Sequence, residues 1–309
     1  MKNTSYLRFG LAGLLAFKYA AFLSFLFVLF LSATNIQGHA DSHGESCVGQ
    51  NLLPDFRSNE PDAYQEMLKL ADDNWFNGEA KFWRVDRDGL SDSYLYGTAH
   101  VTDPRVLDMS TQARAAFFET KTLLVEIKDL EKSAAAAFQD AQLRDKIFFT
   151  SGETLEKYLT SDEVKAIETR LATGTTPWFL AKRMQPWLVM GLVGTSACEN
   201  ARRLDGKAVL DVQLQEDAEG QGKVIIGLET AKEQFLALAG VEFKKQVQAL
   251  KEVALQSDLL DNLTATLIDL YLEGDIGQIW PMLRTLAPQG EDDESNRTDF
   301  ERRIVKERN

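Results

Sequence analysis

A chain of 309 residues with 44% apolar side chains can build one large domain or two small ones around a substantial core. Its formal charge of −13 becomes −16 once the three cations of the first 40 residues, Lys2, Arg8 and Lys18, are set aside. A body this acidic, with no Arg/Lys stripe, repels phosphate backbones and anionic head groups, which argues against nucleic acid as a partner.

Residues 1–40 read as a targeting segment: a basic start precedes the apolar run AAFLSFLFVLFLSA, and Gly38-His39-Ala40 places small residues where a signal peptidase cuts. The alternative is an uncut anchor, since residues 11–33 are long enough to span a bilayer and would attach the protein to a membrane. Either reading exports residues 41–309, to the periplasm or the cell exterior. In such an oxidising compartment the chain's two cysteines, Cys47 and Cys198, are expected to pair as a disulfide. Neither lies in a CxxC or at zinc-ligand spacing.

After a polar arm, 61–74 has helical spacing (Tyr64, Met67, Leu68, Ala71) with proline at its start. KFWRV (81–85) and SYLYG (93–97) flank an Asp-Gly turn and predict a hairpin. A short helix over 110–119 and the strand-like run TLLVEI (122–127) follow, so SYLYG, helix and TLLVEI read as a βαβ unit with its two strands parallel. Thr160 and Glu163 form a capping-box pattern before a helix to Leu171, and Pro186 opens another running towards Asn200. Asp211 stands at the start of a helix ending near Glu219, KVIIG (223–227) is a third buried strand, and Thr230 is placed to cap the next helix. From Glu242 to Leu286 two or three long helices carry apolar stripes such as Leu259, Leu263, Leu267 and Leu270. With no repeat, low-complexity tract or linker, the expected fold is one α/β domain, a mixed and partly parallel sheet surrounded by many helices.

Three polar residues follow the strands: His100 after SYLYG, Glu126 at the end of TLLVEI and Glu229 after KVIIG. Ligands of parallel α/β sheets bind beyond the carboxyl ends of the strands, so these groups are candidates for one catalytic edge, with His100 and Glu126 on neighbouring strands within metal-bridging reach. One imidazole and two carboxylates suit a divalent cation with open positions for water and substrate. Each also has a bland reading: His100 as a hydrogen-bonded core residue, Glu229 as a carboxylate favoured by a helix dipole, and Asp103 with Arg105 as a turn and salt bridge. Glu126 in an apolar strand is the most informative, because a carboxylate there needs a charged or metal partner. No phosphate loop, GxSxG or HExxH occurs.

The segments YLYGTAHV, LLVE, MQPW, LDVQLQEDAEGQGKVIIGLET and the EQ pair at 233–234, in that order, resemble the landmarks of the TraB/GumN family, related to the TIKI proteases and more distantly to ChaN-like and erythromycin-esterase-like proteins. The opening CVGQNLLP and the cysteine near 198 also resemble exported proteobacterial members. The resemblance implies an α/β fold and metal-dependent hydrolase chemistry, acting on a peptide or small molecule, centred on the Gly-x-x-His motif Gly97 to His100 and on Glu126. Glu229 is a third catalytic candidate, and Asp103, Arg105 and Gln234 are further site candidates. The family pattern also has a second Gly-x-x-His near its C-terminus after an Arg-Asn pair, whereas this sequence stops at Arg308-Asn309. Either the sequence is a truncated form of a longer one or the final strand is lost. If that strand is absent, the expectation is a site reduced to His100 and carboxylates, with weak metal binding that favours manganese over zinc, little or no hydrolase activity, and a tendency to self-associate. The alternative function is a non-catalytic binding protein on the same fold.

Overall fold

The computed structural model describes residues 49–286 apart from Phe76. The targeting segment 1–40 with its apolar stretch 11–33, Cys47 and the Arg308-Asn309 end lie outside the described residues.

Helices α1 (Leu53–Asn59) and α2 (Pro61–Asn74) carry proline in their first turn, where its missing N–H leaves no bond unmade. Strands β1 (Phe82–Val85) and β2 (Ser93–Tyr96) form the expected antiparallel hairpin, in register from Phe82↔Tyr96 to Val85↔Ser93. A one-turn helix α3 (Pro104–Leu107), α4 (Thr111–Glu119) and β3 (Thr122–Ile127) follow, with Asp103 and Ser110 accepting the first-turn amides of the two helices. Next come α5 (Leu130–Gln139), α6 (Arg144–Ile147), α7 (Ser161–Leu171) with its Thr160/Glu163 capping box, and α8 (Trp178–Ala181).

The run opening at Pro186 is two helices, not one. The first, α9 (Pro186–Val193), ends at Gly194, and the Ser196 hydroxyl accepts the Glu199 amide to start α10 (Ala197–Leu204). Then come α11 (Leu210–Gly220), β4 (Val224–Glu229) and α12 (Ala231–Ala239), the last opened by a Thr230/Glu233 capping box. The expected helical C-terminal region is α13 (Phe243–Leu255), α14 (Ser257–Glu273) and α15 (Ile279–Leu286).

The class is mixed α/β and strongly helical, with a parallel strand pair. The expected pairing is corrected, however: β2 and β3 are not a parallel pair. Among the described residues, β2 pairs only with β1, while β3 pairs in parallel with β4, from Thr122↔Val224 to Ile127↔Glu229. Leu210 and Leu214 of α11, with Met109 and Ala113, pack against Phe82 and Tyr96 of the hairpin and Leu123 of β3, so the two strand pairs are joined through a helix instead of a ladder.

The largest core gathers Ile127, Leu143, Ile167, Trp187, Phe235 and Leu250 from strand and helices. The MQPW landmark belongs to this core: Trp187 is fully buried and its Nε1 donates to the Lys146 carbonyl at 2.8 Å. A second core joins α1, α2, α14 and α15 through Phe56, Met67, Leu263, Leu270 and Met282. A third seats Ala99, Val101 and Val106 on Ile268 and Tyr271 of α14. It is this last one that positions the site.

Candidate functional site

The alternation of strand β2 continues past its last ladder bond. Ala99 and Val101 bury against α14, so Thr98, His100 and Thr102 fall on the other side of the chain. A γ-turn, with the Val101 amide donating to the Ala99 carbonyl at 2.8 Å, centres on His100. The Tyr271 hydroxyl fixes the start of the loop by donating to the Gly97 carbonyl at 2.8 Å.

His100 meets Asp211, in the first turn of α11: Nδ1 lies 2.6 Å from Oδ2, and the Thr98 hydroxyl donates to Oδ1 at 2.7 Å. A carboxylate at that distance assigns the proton to Nδ1 and leaves the Nε2 lone pair facing outward. Glu126 Oε2 stands 4.0 Å from Nε2. The imidazole is 7% exposed, and burial alone would lower its pKa. The Asp211 charge and hydrogen bond, aided by Glu126, overcome that, and the net direction is upward. For Asp211 burial pushes up, while His100 and the Thr98 hydroxyl pull harder, and the carboxyl sits below its ordinary range.

Behind the loop lies a second charged pair. Glu199 is 2% exposed and accepts the Thr102 amide on both oxygens, at 2.9 and 3.0 Å, as well as Arg203 Nε at 3.1 Å. Arg203 Nη2 in turn donates to the His100 carbonyl at 3.1 Å. Burial lowers Arg203 to about 10, partly offset by Glu199, which leaves it charged at neutral pH.

A small cleft opens in front of the imidazole, lined by His100, Glu126 and Asp211 together with Val125, Ile127, Leu130, Val209, Val212 and Gln215. Of the expected residues, His100 and Glu126 therefore do meet, although not from hydrogen-bonded strands. Glu229 does not line this cleft; its Oε1 accepts Gln234 Nε2 at 2.6 Å, and the two sit together at the start of α12. Asp103 and Arg105 take their bland reading. Asp103 caps α3, accepts the Arg105 amide and Nε at 2.9 and 3.0 Å, and lies 3.5 Å from Arg202. Cys198 is not a free thiol, whereas Cys47 lies outside the described residues.

The expected shell of one imidazole and two carboxylates is not assembled as drawn. His100 Nε2 and Glu126 supply two donors, and 4.0 Å is close to the largest span that one ion can bridge, the sum of two ligand bonds being about 4.2 Å. Asp211 fits the outer role of a carboxylate that orients a ligating histidine. Among the described residues no group of three or more His, Cys, Asp or Glu side chains is placed to hold a metal. The donor set thus fits part of a coordination shell.

Asp211, Thr98, Glu199, Arg203 and Gln215 were not singled out from the sequence. Asp211 reads there as an ordinary first-turn carboxylate, and its position inside a family-like segment was the one available signal.

A mixed α/β body with a histidine held by a carboxylate beside a second carboxylate defines a class of candidate hydrolytic or ligand-binding sites. The family comparison makes this specific: residues 81–309 match the TraB/PrgY/gumN family, and the chain belongs to it. The chain is also similar to "Metalloprotease TIKI1" from Danio rerio, 27% identical over 227 residues, covering 66% of this chain and 43% of the relative. It thus spans less than half the length of that curated relative. No solved structure matches.

Proposed function

We propose that this protein is an exported hydrolase of the metallopeptidase kind, acting on a peptide or a small amide or ester. The observation that carries the reading is the 2.6 Å contact between His100 Nδ1 and Asp211, which leaves Nε2 aimed past Glu126 into the cleft. Family membership and the name of the 27% identical relative support it. His100 Nε2 and Glu126 would hold a divalent ion, manganese or zinc, since one imidazole nitrogen and one carboxylate suit either. When bound, such an ion supplies Lewis acidity, polarising a carbonyl and acidifying a water.

The chain's own residues do the rest. Asp211 fixes the imidazole tautomer and ring plane, Thr98 holds the far oxygen of that carboxylate, and the Glu199–Arg203 pair keeps the backbone of the loop in place. Glu126 is near enough to accept a proton from a water in the cleft. The targeting signals of residues 1–40 support export.

A second reading, a binding protein without catalysis, is favoured by the two-donor set. Metal content and peptide hydrolysis, measured on the wild type, His100→Ala and Asp211→Asn with and without chelator, separate the two. The hydrolase reading expects chelator-sensitive cleavage that both variants lose. A wild type that holds no ion and cleaves nothing would overturn the hydrolase reading.

A further inference from the structure

The helix that supplies Asp211 presents a second polar group on the same face. Gln215 is four residues further along α11, one turn away, and lines the same cleft. Its Oε1 accepts the backbone N–H of Asp129 at 3.1 Å. Asp129 is one of two non-glycine residues with positive φ among the described residues, at 50°. Such a left-handed position carries a cost that the surroundings must offset.

The turn is tight. Gly227 of β4 passes so close that a Cβ there would stand 2.9 Å from the Lys128 amide nitrogen. The chain therefore leaves β3 just after Glu126 and Ile127 and kinks at Asp129, the residue that precedes α5, whose N–H has no acceptor within that helix and is taken by Gln215.

An amide oriented through its oxygen has its nitrogen oriented too. No acceptor among the described residues meets Gln215 Nε2, so two N–H groups are held in place at the cleft wall. The donor selects an oxygen, and the two carboxylates already in the cleft, Glu126 and Asp211, disfavour an anionic one. The walls beside it are Val125, Leu130, Val209 and Val212. The enclosed part of the cleft is only about 20 Å³, room for one oxygen-sized group, so the remainder of a ligand lies across the open mouth against these apolar walls.

We propose that Gln215 is a substrate-binding residue whose Nε2 donates to a neutral carbonyl oxygen, while the apolar side chain next to that carbonyl packs on Val125, Leu130, Val209 and Val212. The ligand class is an acylated or peptide-linked apolar residue. Calling this ligand the substrate rests on the hydrolase reading; the binding itself does not.

The test is equilibrium binding to the full chain in chelator, which removes hydrolysis and metal from the measurement. The probes are N-acetyl-leucinamide, N-acetyl-glycinamide and N-acetyl-leucine, followed by the Gln215 side-chain NH₂ resonances. N-acetyl-leucinamide is expected to shift those resonances and to bind at least tenfold more tightly than either of the others. Gln215→Glu keeps the shape and the acceptor for Asp129 but removes the donor, and should weaken that probe at least tenfold with the unfolding temperature unchanged. Equal affinity in the variant, equal affinity for the glycine or free-acid probe, or no binding of N-acetyl-leucinamide would each overturn the proposal. Loss of hydrolysis with this binding intact would instead count against the hydrolase reading alone.

Discussion

The Thr102 amide donates to both carboxylate oxygens of Glu199, a residue 97 positions further along the chain. Thr102, two residues after His100, is thereby tied to α10, and Arg203, one turn beyond Glu199, ties the His100 carbonyl to the same helix. Because both charges are buried, removing one strands the other. Glu199→Gln should cost roughly 3–5 kcal/mol by urea unfolding, and adding Arg203→Met should cost less than the sum of the single changes. Strict additivity would show that the two do not act as a pair.

The His100–Asp211 contact makes stability depend on pH in a definite window. The imidazole pKa is raised on folding, so its contribution is complete below the unfolded value of about 6.5 and is lost as pH rises through the folded value. The Asp211 pKa is lowered, so its contribution is complete above about 3.9 and is lost as pH falls through the folded value. The stability difference between wild type and Asp211→Asn, measured in chelator, should be largest between about pH 4 and 6.5 and shrink on both sides. A difference that is flat from acid to alkaline pH would mean that the pair is not charged in the native state.

Cys198 precedes Glu199 on α10 and is not a free thiol. The expected partner is Cys47, and the bond would fasten the N-terminal arm to the helix that carries the loop. Intact mass of oxidised protein before and after alkylation should show no free thiol, and reduction should cost about 2–5 kcal/mol. Two alkylated cysteines in unreduced protein would rule the bond out.

The parallel pair β3–β4 shows one apolar face to solvent. Leu124 is 58% exposed, and Val224, Ile226 and Leu228, alternating along β4, are 58%, 46% and 67% exposed while Ile225 between them is buried. Parallel strands are ordinarily covered on both faces, and a contiguous apolar strip of this kind favours association. Light scattering should show a molar mass that rises with concentration, and Ile226→Lys should suppress the rise. A monomer at all concentrations would show that the strip does not mediate self-association.

Local signals in the sequence determined much of the secondary structure. The helix 61–74, the strand 122–127, the capping box at Thr160/Glu163 and the Thr230 cap match the structure because each is written within a few neighbouring residues. The sequence also marked His100 and Glu126, since a lone imidazole after a strand and a carboxylate inside an apolar run are conspicuous where they stand. It could not determine which strand pairs with which, for alternation tells a strand its faces and not its neighbour, and β3 took β4 instead of β2. Nor could it distinguish Asp211 from any first-turn acid, or Gln215 from any surface amide. Those roles were decided by tertiary structure alone: α11 packs across the hairpin and β3, and that docking carries a carboxylate 111 residues away to within 2.6 Å of His100.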